Sequence, residues 1–318
     1  MFSFNNIHHF NFKRKIKKKL HQNIRLKKKH LNTNIINNLL ISTKYKRPIK
    51  MINQKTIHCT HNAGFFSCCS VKLNNIINYI NLHNQLPVKV DSSKQFNWYK
   101  KQINKDITFE YFEHYNNINN ISTNNKIARV NYNHTYQYKS YSTLNYKQII
   151  PIVTKYFTPS QNIKNIIENI KKKYCLIYDN ICVLFYRGND KKTETTLCKY
   201  EEYLNYANKI ININPNIQFL IQSDETEFID YITDIFPNNS FYFKDEIRHI
   251  NKCNSTVDIV MKKQNNIYSK YYLAITIIMA KCKYVVCGSG NCSIWIMFYR
   301  GNNNNTCQYN NGQWYNNI

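Results

Sequence analysis

The sequence predicts an α/β protein of two lobes, with a basic arm before them and an Asn-rich tail after them. From residue 151 to 301, apolar runs of strand length alternate with amphipathic segments of helix length. This alternation is typical of a parallel sheet covered by helices on both faces. Residues 51–110 have a strand–loop–helix–strand order of their own. Four of the six glycines lie in strand-to-helix turns, where ligands meet sheets of this kind.

These observations divide the chain into four parts. They are a basic arm (1–50), a first α/β lobe (51–150), a second α/β lobe (151–301) and a tail (302–318). Two such lobes would enclose a cleft, and a ligand is expected there because the carboxyl ends of parallel strands meet at one edge of a sheet.

The arm explains much of the charge of the chain. The net charge is +26, and residues 1–50 contribute 14 Lys and Arg and no acidic residue. A disordered or loosely helical segment is one interpretation, and binding to an acidic surface of nucleic acid or membrane is the other. The remaining basic residues are spread without a dense stripe, so we expect no nucleic-acid binding outside the arm.

The eleven cysteines contain no CxxC pair and follow no apolar signal segment. This pattern is typical of reduced thiols, and we expect a cytoplasmic protein that is not secreted. The run His58-Cys59-Thr60-His61 with the pair Cys68-Cys69 could hold zinc, but its spacing matches no common site, so buried thiols near a turn are favoured. The longest apolar run, 271–280, falls short of the roughly 18 residues of a membrane span, and we predict none.

The first lobe begins with a short apolar strand that ends at His58. A turn follows at 62–64, and a helix is predicted next because apolar residues recur at helical spacing from Val71 to Leu82. Pro87 ends this helix, and residues 88–91 predict a second strand. Residues 111–150 are rich in Asn and Tyr with weak periodicity, so we expect loops with a few short elements.

The second lobe alternates strands with helices. The predicted helices cover residues 159–173, 199–213, 225–235, 269–281 and a segment that ends at Tyr299. The predicted strands cover residues 181–187, 217–222, 241–243 and 284–287. Gly301 ends the last helix, and the tail after it is expected to be poorly ordered.

The first candidate motif, Arg187-Gly188-Asn189-Asp190-Lys191, follows a strand that is almost entirely apolar. Arg is the rarer basic residue in this chain, at 7 against 37 Lys. A guanidinium at a strand end binds a phosphate through two parallel hydrogen bonds, which Lys cannot copy. The alternative is a surface ion pair between Arg187 and Asp190, which stabilises a protein by less than about 1 kcal/mol.

Two further strand-to-helix turns carry polar residues. The turn 223–225, Ser-Asp-Glu, is explained by helix capping and the helix dipole alone. The turn 288–290, Gly-Ser-Gly, precedes a helix whose free N–H groups form an anion site, and the Ser hydroxyl adds a donor. An ordinary βα turn is the alternative, because the spacing is neither a Walker loop nor a dinucleotide-binding GxGxxG sequence.

Together these motifs resemble the donor-binding lobe of GT-B glycosyltransferases of the fucosyltransferase type. That superfamily includes protein O-fucosyltransferases, α1,6-fucosyltransferases and bacterial nodulation fucosyltransferases. Its strands end in His-x-Arg-Arg-x-Asp-Lys, in a turn like Ala-Thr-Asp-Asp, and in Thr-x-Ser-Ser. The matching residues are Arg187, Asp190 and Lys191 for the first pattern, Ser223, Asp224 and Glu225 for the second, and Gly288 and Ser289 for the third.

The resemblance covers about residues 52–301 and is dense only over 181–301. It implies a GT-B-like fold of two Rossmann-like lobes. The turn at Gly64 and Phe65 looks like the glycine-rich loop that opens the acceptor lobe in that superfamily. The N-terminal block is also similar to proteins of giant amoeba-infecting DNA viruses, which have A/T-rich genomes.

The sequence also departs from the pattern of the superfamily. Phe185 stands where the pattern has His, so one contact to the donor base is lost, and Gly188 stands where it has the second Arg. A candidate catalytic base, Glu194, lies one residue closer to Arg187 than the pattern expects. No acidic residue follows Asp258, so Asp258 is left as the candidate carboxylate that recognises the nucleotide base.

The resemblance implies transfer of a sugar from a nucleotide-diphosphate donor, with GDP-fucose as a candidate, to a hydroxyl group of a glycan or protein. The diphosphate would lie on Arg187 and the backbone amides of Ser289 and Gly290, which neutralise charge on the leaving group. Glu194 or Asp190 would deprotonate the acceptor. Members of the superfamily need no metal or other cofactor. The remaining donor-binding candidates are Lys191, Ser223, Asp224, Asp258 and Gly288.

Three alternatives stay open. The chain could be a degenerate, non-catalytic relative that acts as a structural or interaction protein of a giant virus, and the missing His and second Arg favour this. It could bind nucleic acid through the arm, with steep salt dependence, or be an unrelated α/β enzyme. If it is a glycosyltransferase, one cleft beside the helix that begins near Asn291 should be lined by Arg187, Asp190, Ser223 and Ser289.

Overall fold

The predicted α/β architecture is confirmed by a computed structural model, which describes residues 56–118 and 129–318. The basic arm (1–50) lies outside the described residues. Both sheets belong to one compact unit. A single hydrophobic cluster runs from Cys59 to Tyr309 and packs helices against both sheets.

The described residues contain eight strands in two sheets. The strands are β1 (Thr56–His61), β2 (Lys89–Gln95), β3 (Ile181–Tyr186), β4 (Gln218–Ser223), β5 (Ser240–Phe241), β6 (Tyr284–Gly288), β7 (Thr306–Asn310) and β8 (Gln313–Asn316). Strands β1 and β2 pair in parallel as one sheet. The other six have the order β5-β4-β3-β6-β7-β8, and all of these pairs are parallel except β7–β8.

Nine α-helices connect these strands within the described ranges. They are α1 (Phe65–His83), α2 (Thr108–Tyr111), α3 (Tyr146–Phe157), α4 (Gln161–Lys173), α5 (Tyr200–Ile213), α6 (Thr226–Ile235), α7 (Val257–Val260), α8 (Asn265–Lys281) and α9 (Asn291–Arg300). Helix α3 is continuous across residue 150, the predicted boundary between the lobes. None of the described helices has the length and apolar character that a membrane span needs.

The first lobe contains the predicted strand–loop–helix–strand order as β1, α1 and β2. Helix α1 begins at Phe65, six residues before the predicted start, because Phe65 and Phe66 are already buried in the core. It ends at His83, and Asn84 caps it with a left-handed backbone whose N–H bonds to the carbonyl of Ile80. The rest of this lobe is mostly short 3₁₀ turns, so its sheet has two strands in the described ranges.

The second lobe is centred on β3. Every residue of β3 is buried, which requires cover on both faces of the sheet. Helices α5 and α6 pack on β3 and β4 and contact each other. Helix α8 packs against α4 and α9. This arrangement brings the carboxyl ends of β3, β4 and β6 to one edge of the sheet.

Trp295 of α9 joins the two lobes. Its ring is fully buried, with its centroid 4.6 Å from that of Phe157 and 6.2 Å from that of Phe66. Its indole N–H donates to the hydroxyl of Ser70 over 2.9 Å. A buried indole needs such a partner, so this contact fixes α9 against α1.

The expectation of a poorly ordered tail is wrong. Strand β7 pairs with β6, and all five of its residues are buried. Strand β8 returns antiparallel through Asn311-Gly312, whose φ values of 48° and 86° are those of a two-residue hairpin loop. Trp314 on β8 packs against Tyr206 of α5. An Asn-Gly pair between two strands indicates a hairpin, but in a tail so rich in Asn the pair does not stand out.

A chain that ends at Gly301 tests this correction, because it lacks β7 and β8. Each fully buried apolar side chain contributes roughly 1.5–3 kcal/mol, so we expect a loss on the order of 5 kcal/mol, comparable with the whole stability of many domains. Thermal unfolding followed by circular dichroism should lose its cooperative transition. A chain that lacks only Ile318 should melt like the full chain. If the shortened chain melted within about 2 °C of the full chain, the two strands would not be part of the fold.

Candidate functional site

Arg187 lies at the carboxyl end of β3 and is held by the neighbouring strand end. Its Nε donates to Oδ2 of Asp224 over 2.9 Å, and Nη1 lies 3.3 Å from the hydroxyl of Tyr272. Nη2 is 3.5 Å from Oδ1 of Asp190, which is at the limit of a hydrogen bond. The side chain is 25% exposed. Arg187 is therefore oriented mainly through its Nε, and the residue is partly exposed.

Asp224 and Ser223 do not have the roles that helix capping suggested. Asp224 accepts from Arg187 and, through Oδ1, from the backbone N–H of Gly188 over 3.0 Å. Ser223 accepts from the backbone N–H of Glu225, two residues later, and caps no helix. The capping interpretation is wrong because the carboxylate of Asp224 is directed to the adjacent strand end, where it holds the guanidinium.

A buried carboxylate fixes the turn after Arg187. Glu225 is fully buried and accepts from the backbone N–H of Asn189 and from the hydroxyl of Tyr200, each over 2.5 Å. A Cβ added at Gly188 would lie 2.0 Å from Oε1 of Glu225. Gly188 is thus required by close approach, since any larger residue would displace this carboxylate.

Three concavities meet at Arg187. The inner cleft has about 520 Å³ of empty space and the interlobe cleft about 840 Å³, counted together with the open space at their mouths. A smaller turn pocket of about 320 Å³ lies beside β6. The inner cleft is lined by Phe185, Arg187, Gln222, Ser223, Asp224, Glu246, Ile247, Arg248, Thr256, Val257, Asp258, Tyr268, Tyr272 and Ile275.

The other two concavities hold most of the remaining predicted residues. The interlobe cleft is lined by Ala63, Gly64, Phe65, Phe66, Ser67, Trp98, Gln137, Tyr138, Arg187, Asp190, Lys191, Glu194, Thr256, Asp258, Tyr272, Asn291 and Cys292. The turn pocket includes Arg187, Lys191, Gly288 and Ser289. The expectation of one cleft for Arg187, Asp190, Ser223 and Ser289 is wrong. Ser223 lines the inner cleft, Asp190 the interlobe cleft and Ser289 the turn pocket, and only Arg187 lines all three.

The backbone amides of Ser289 and Gly290 are not free to bind an anion. Ser289 donates to the carbonyl of Tyr309 over 2.8 Å, and Gly290 donates to the hydroxyl of Tyr141 over 3.2 Å. The hydroxyl of Ser289 accepts from Gln308. The predicted amide cradle is wrong because β7, part of the tail that was expected to be poorly ordered, bonds to Ser289, and Tyr141 of the first lobe bonds to the amide of Gly290.

Two helix N-termini open onto the interlobe cleft instead. Gly64 precedes α1 and Gly290 precedes α9, and neither helix has a side-chain cap. Asn291 and Cys292, in the first turn of α9, line the cleft. The partial positive charge of a helix N-terminus attracts anions, and Arg187 adds a full charge to the same space.

Glu194 faces the interlobe cleft, and its carboxylate accepts hydrogen bonds from two residues. Lys191 donates to its Oε2 over 2.5 Å, and Tyr138 donates to the same oxygen over 2.9 Å. Burial raises the pKa of Glu194, but the hydrogen bond and charge of Lys191 outweigh it and hold the pKa below its ordinary value. Glu194 is therefore ionised at neutral pH. Asp190 borders the same cleft beside Arg187.

Asp258 links the two lobes. Its Oδ1 accepts from Arg248 and its Oδ2 from the hydroxyl of Tyr99 of the first lobe, both over 2.8 Å. Arg248 also donates to Asn265 over 2.6 Å and stacks over the ring of Tyr268. Both oxygens of Asp258 are thus engaged within the protein, although the residue borders two clefts.

Sequence reasoning missed Arg248, Tyr272 and Gln222, all of which line the inner cleft. Arg248 follows β5 in a segment without periodicity, and its rarity as one of seven Arg was the available signal. Tyr272 lies in a segment whose sequence predicts a mostly apolar helix, and its hydroxyl contact with Arg187 depends on tertiary packing.

The candidate zinc residues do not share one site, because the two histidines bond to different partners. His58 bonds to Asp91 over 2.9 Å and His61 to Ser67 over 2.8 Å. Cys68 and Cys69 are buried with free thiols. Across 56–118 and 129–318, no three His, Cys, Asp or Glu side chains gather as metal ligands do.

Comparison with known proteins identifies the fold. No family profile matches the chain, and no curated protein sequence matches it. Two crystal structures of NodZ α-1,6-fucosyltransferase, one soaked with GDP-fucose and one co-crystallised with GDP, align with TM-scores of 0.51. Each alignment covers 82% of this chain and 97% of the other, at 10% and 12% identity respectively. The chain has the GT-B-like α/β fold of these glycosyltransferases.

Gly188→Ala tests the close approach to Glu225. The added Cβ would overlap a buried carboxylate, so we expect a loss of about 3 kcal/mol, at the upper end of the usual cost of overpacking. Urea denaturation would measure it. Gly64→Ala is the matched control, because Gly64 has a negative φ and no atom within 4 Å of an added Cβ. Equal stability of the two variants would contradict the packing described here.

Proposed function

We propose that the protein transfers a sugar from a nucleotide-diphosphate donor to a hydroxyl group of a glycan or protein. The observation that carries this proposal is the position of Arg187, which is fixed by Asp224 at the junction of three concavities. The fold of NodZ α-1,6-fucosyltransferase, including a structure soaked with GDP-fucose, supports it. GDP-fucose is the candidate donor.

The donor would extend across the junction at Arg187. The inner cleft combines apolar walls such as Phe185 and Ile275 with polar side chains such as Gln222, a combination that suits a nucleoside. The diphosphate would contact Arg187, Lys191 and the first-turn amides of α9, in place of the engaged amides of Ser289 and Gly290. The sugar would then reach the interlobe cleft.

Charge stabilisation would supply most of the catalysis. As the sugar leaves, negative charge builds on the diphosphate, and donors that are already oriented stabilise it without reorganisation. Asp224 orients Arg187 through Nε and leaves its terminal nitrogens at the cleft. The proposal needs no metal, because Arg187, Lys191 and the helix N-termini supply the positive charge.

Glu194 is the proposed base for the acceptor hydroxyl. It is ionised at neutral pH, and both of its hydrogen bonds use Oε2. Within the described part of the chain, Oε1 accepts no hydrogen bond and so can accept the acceptor proton. Asp190 lies beside Arg187, where its charge offsets that of the guanidinium.

Arg187→Lys tests donor binding. Lysine keeps the charge but cannot form paired hydrogen bonds, and a hydrogen bond to a charged group contributes about 1.5–3 kcal/mol. We expect the affinity for GDP, measured by calorimetry, to fall by roughly tenfold or more. Arg300→Lys is the matched control, because Arg300 bonds only to backbone carbonyls far from the three concavities. Undiminished GDP binding by Arg187→Lys would remove the basis of the proposal.

Glu194→Gln tests the catalytic base. The amide keeps the shape of the side chain but cannot take a proton, so we expect kcat to fall by about 10²–10⁴ with little change in GDP affinity. Release of GDP from GDP-fucose with a glycan acceptor would be measured. Asp190→Asn should have the smaller effect on kcat. The reverse order would assign the base to Asp190. Because the pKa of Glu194 is lowered, activity should fall with acidification only below the ordinary Glu range.

A non-catalytic relative is the second candidate function. The internal bonding of the Ser289 and Gly290 amides favours it, because two donors of the predicted phosphate site are occupied. Such a protein would bind GDP through Arg187 without turning over GDP-fucose. The two measurements above therefore separate binding from catalysis.

A further inference from the structure

Gln222 is a buried amide with an unmet hydrogen-bonding group. It is the last residue but one of β4, is 5% exposed and lines the inner cleft. Its Oε1 is buried and has no hydrogen-bond partner in residues 56–118 and 129–318. A buried polar atom without a partner destabilises a fold, so a ligand that supplies the missing bond is a physical reason for its position.

The surroundings of Gln222 supply no partner. Phe185 stands beside it in register on β3, and both side chains lie on the same face of the sheet. The other strong polar groups of the cleft are engaged elsewhere. Arg248 bonds to Asp258 over 2.8 Å, and Glu246 accepts from Lys173 and Tyr174. The carbonyl oxygen of Gln222 is therefore a bonding group of the cleft that is left for a ligand.

We propose that Gln222 pairs with the hydrogen-bonding edge of the donor nucleobase, an inference that rests on the proposed function. A side-chain amide places an acceptor next to donors, and the edges of nucleobases present the complementary groups, so two parallel hydrogen bonds form. Phe185, beside Gln222, is two residues before Arg187. This separation is roughly 7 Å along a strand, a spacing that a ribose can bridge between base and phosphate.

The chemistry of an amide predicts how base preference should respond to a charge at this position. Guanine presents two adjacent N–H donors on its edge, whereas uracil presents one N–H between two carbonyls. A neutral amide can turn over to pair with either base. A carboxylate only accepts hydrogen bonds, so it pairs with guanine and repels the carbonyls of uracil.

The test compares Gln222→Leu and Gln222→Glu with wild type, with GDP and UDP as probes in calorimetry. Gln222→Leu should weaken both affinities by about tenfold, or 1.4 kcal/mol, without lowering the melting temperature, because it removes an unsatisfied polar group. Gln222→Glu should raise the ratio of GDP to UDP affinity by about tenfold. Gln218→Leu is the matched control, because Gln218 starts the same strand and lies outside the cleft.

The outcomes separate this inference from the proposed function. If GDP binding depends on Arg187 but Gln222→Leu binds both nucleotides like wild type, only the role of Gln222 is overturned. A Gln222→Leu variant that loses stability, together with an unchanged base ratio in Gln222→Glu, would make Gln222 a structural residue and also overturn the inference. If wild type binds neither GDP nor UDP, the proposed function fails and this inference fails with it.

Discussion

The ion pair between Arg187 and Asp224 is the contact on which the candidate site depends. It joins the carboxyl ends of β3 and β4 over 2.9 Å, and Asp224 is largely buried, with 7% of its side chain exposed. A buried carboxylate that lost its cation would be strongly destabilising. The pair therefore holds the guanidinium in one orientation at the carboxyl ends of two adjacent strands.

The turn after β3 is held to the end of β4 by several backbone hydrogen bonds. Asp224 receives the N–H of Gly188, while Glu225 receives the N–H of Asn189. Asn189 in turn bonds to the carbonyl of Asp224 and to the N–H of Cys253. Consecutive acidic residues on one strand end therefore hold consecutive amides on the other, and Arg187 is fixed by the backbone as well as by its own side chain.

Much of the fold could be predicted from the sequence because its patterns are local. The alternation of apolar strands and amphipathic helices located β3, β4 and β6, since continuous apolar runs are typical of buried parallel strands. The strand β7 could not be predicted in this way. Its residues, Thr-Cys-Gln-Tyr-Asn, are largely polar, and they are buried because Gln308 and Asn310 bond to backbone carbonyls of the first lobe.

The site was predicted less completely, for the same physical reason. Strand-end residues such as Arg187 and Lys191 could be found, because parallel topology brings strand ends together. The side chains that bond to them, such as Asp224 and Tyr272 at Arg187, could not be predicted because they come together only in the folded chain. At Phe185 the sequence shows the loss of a His, whereas the structure places Gln222 next to Phe185 on the adjacent strand. Likewise, the amide of Ser289 is occupied by Tyr309, which belongs to a strand that begins only at Thr306.

The three tryptophans of the chain lie in three different environments. Trp98 borders the interlobe cleft, Trp295 is enclosed at the junction of the lobes, and Trp314 stacks near α5 while its indole N–H bonds to Glu202. Intrinsic fluorescence of the unlabelled protein consequently carries separate optical signals from the cleft, the lobe contact and the C-terminal hairpin. Replacing two of the three by Phe would isolate the signal of the third, so each tryptophan can report on the part of the protein that surrounds it.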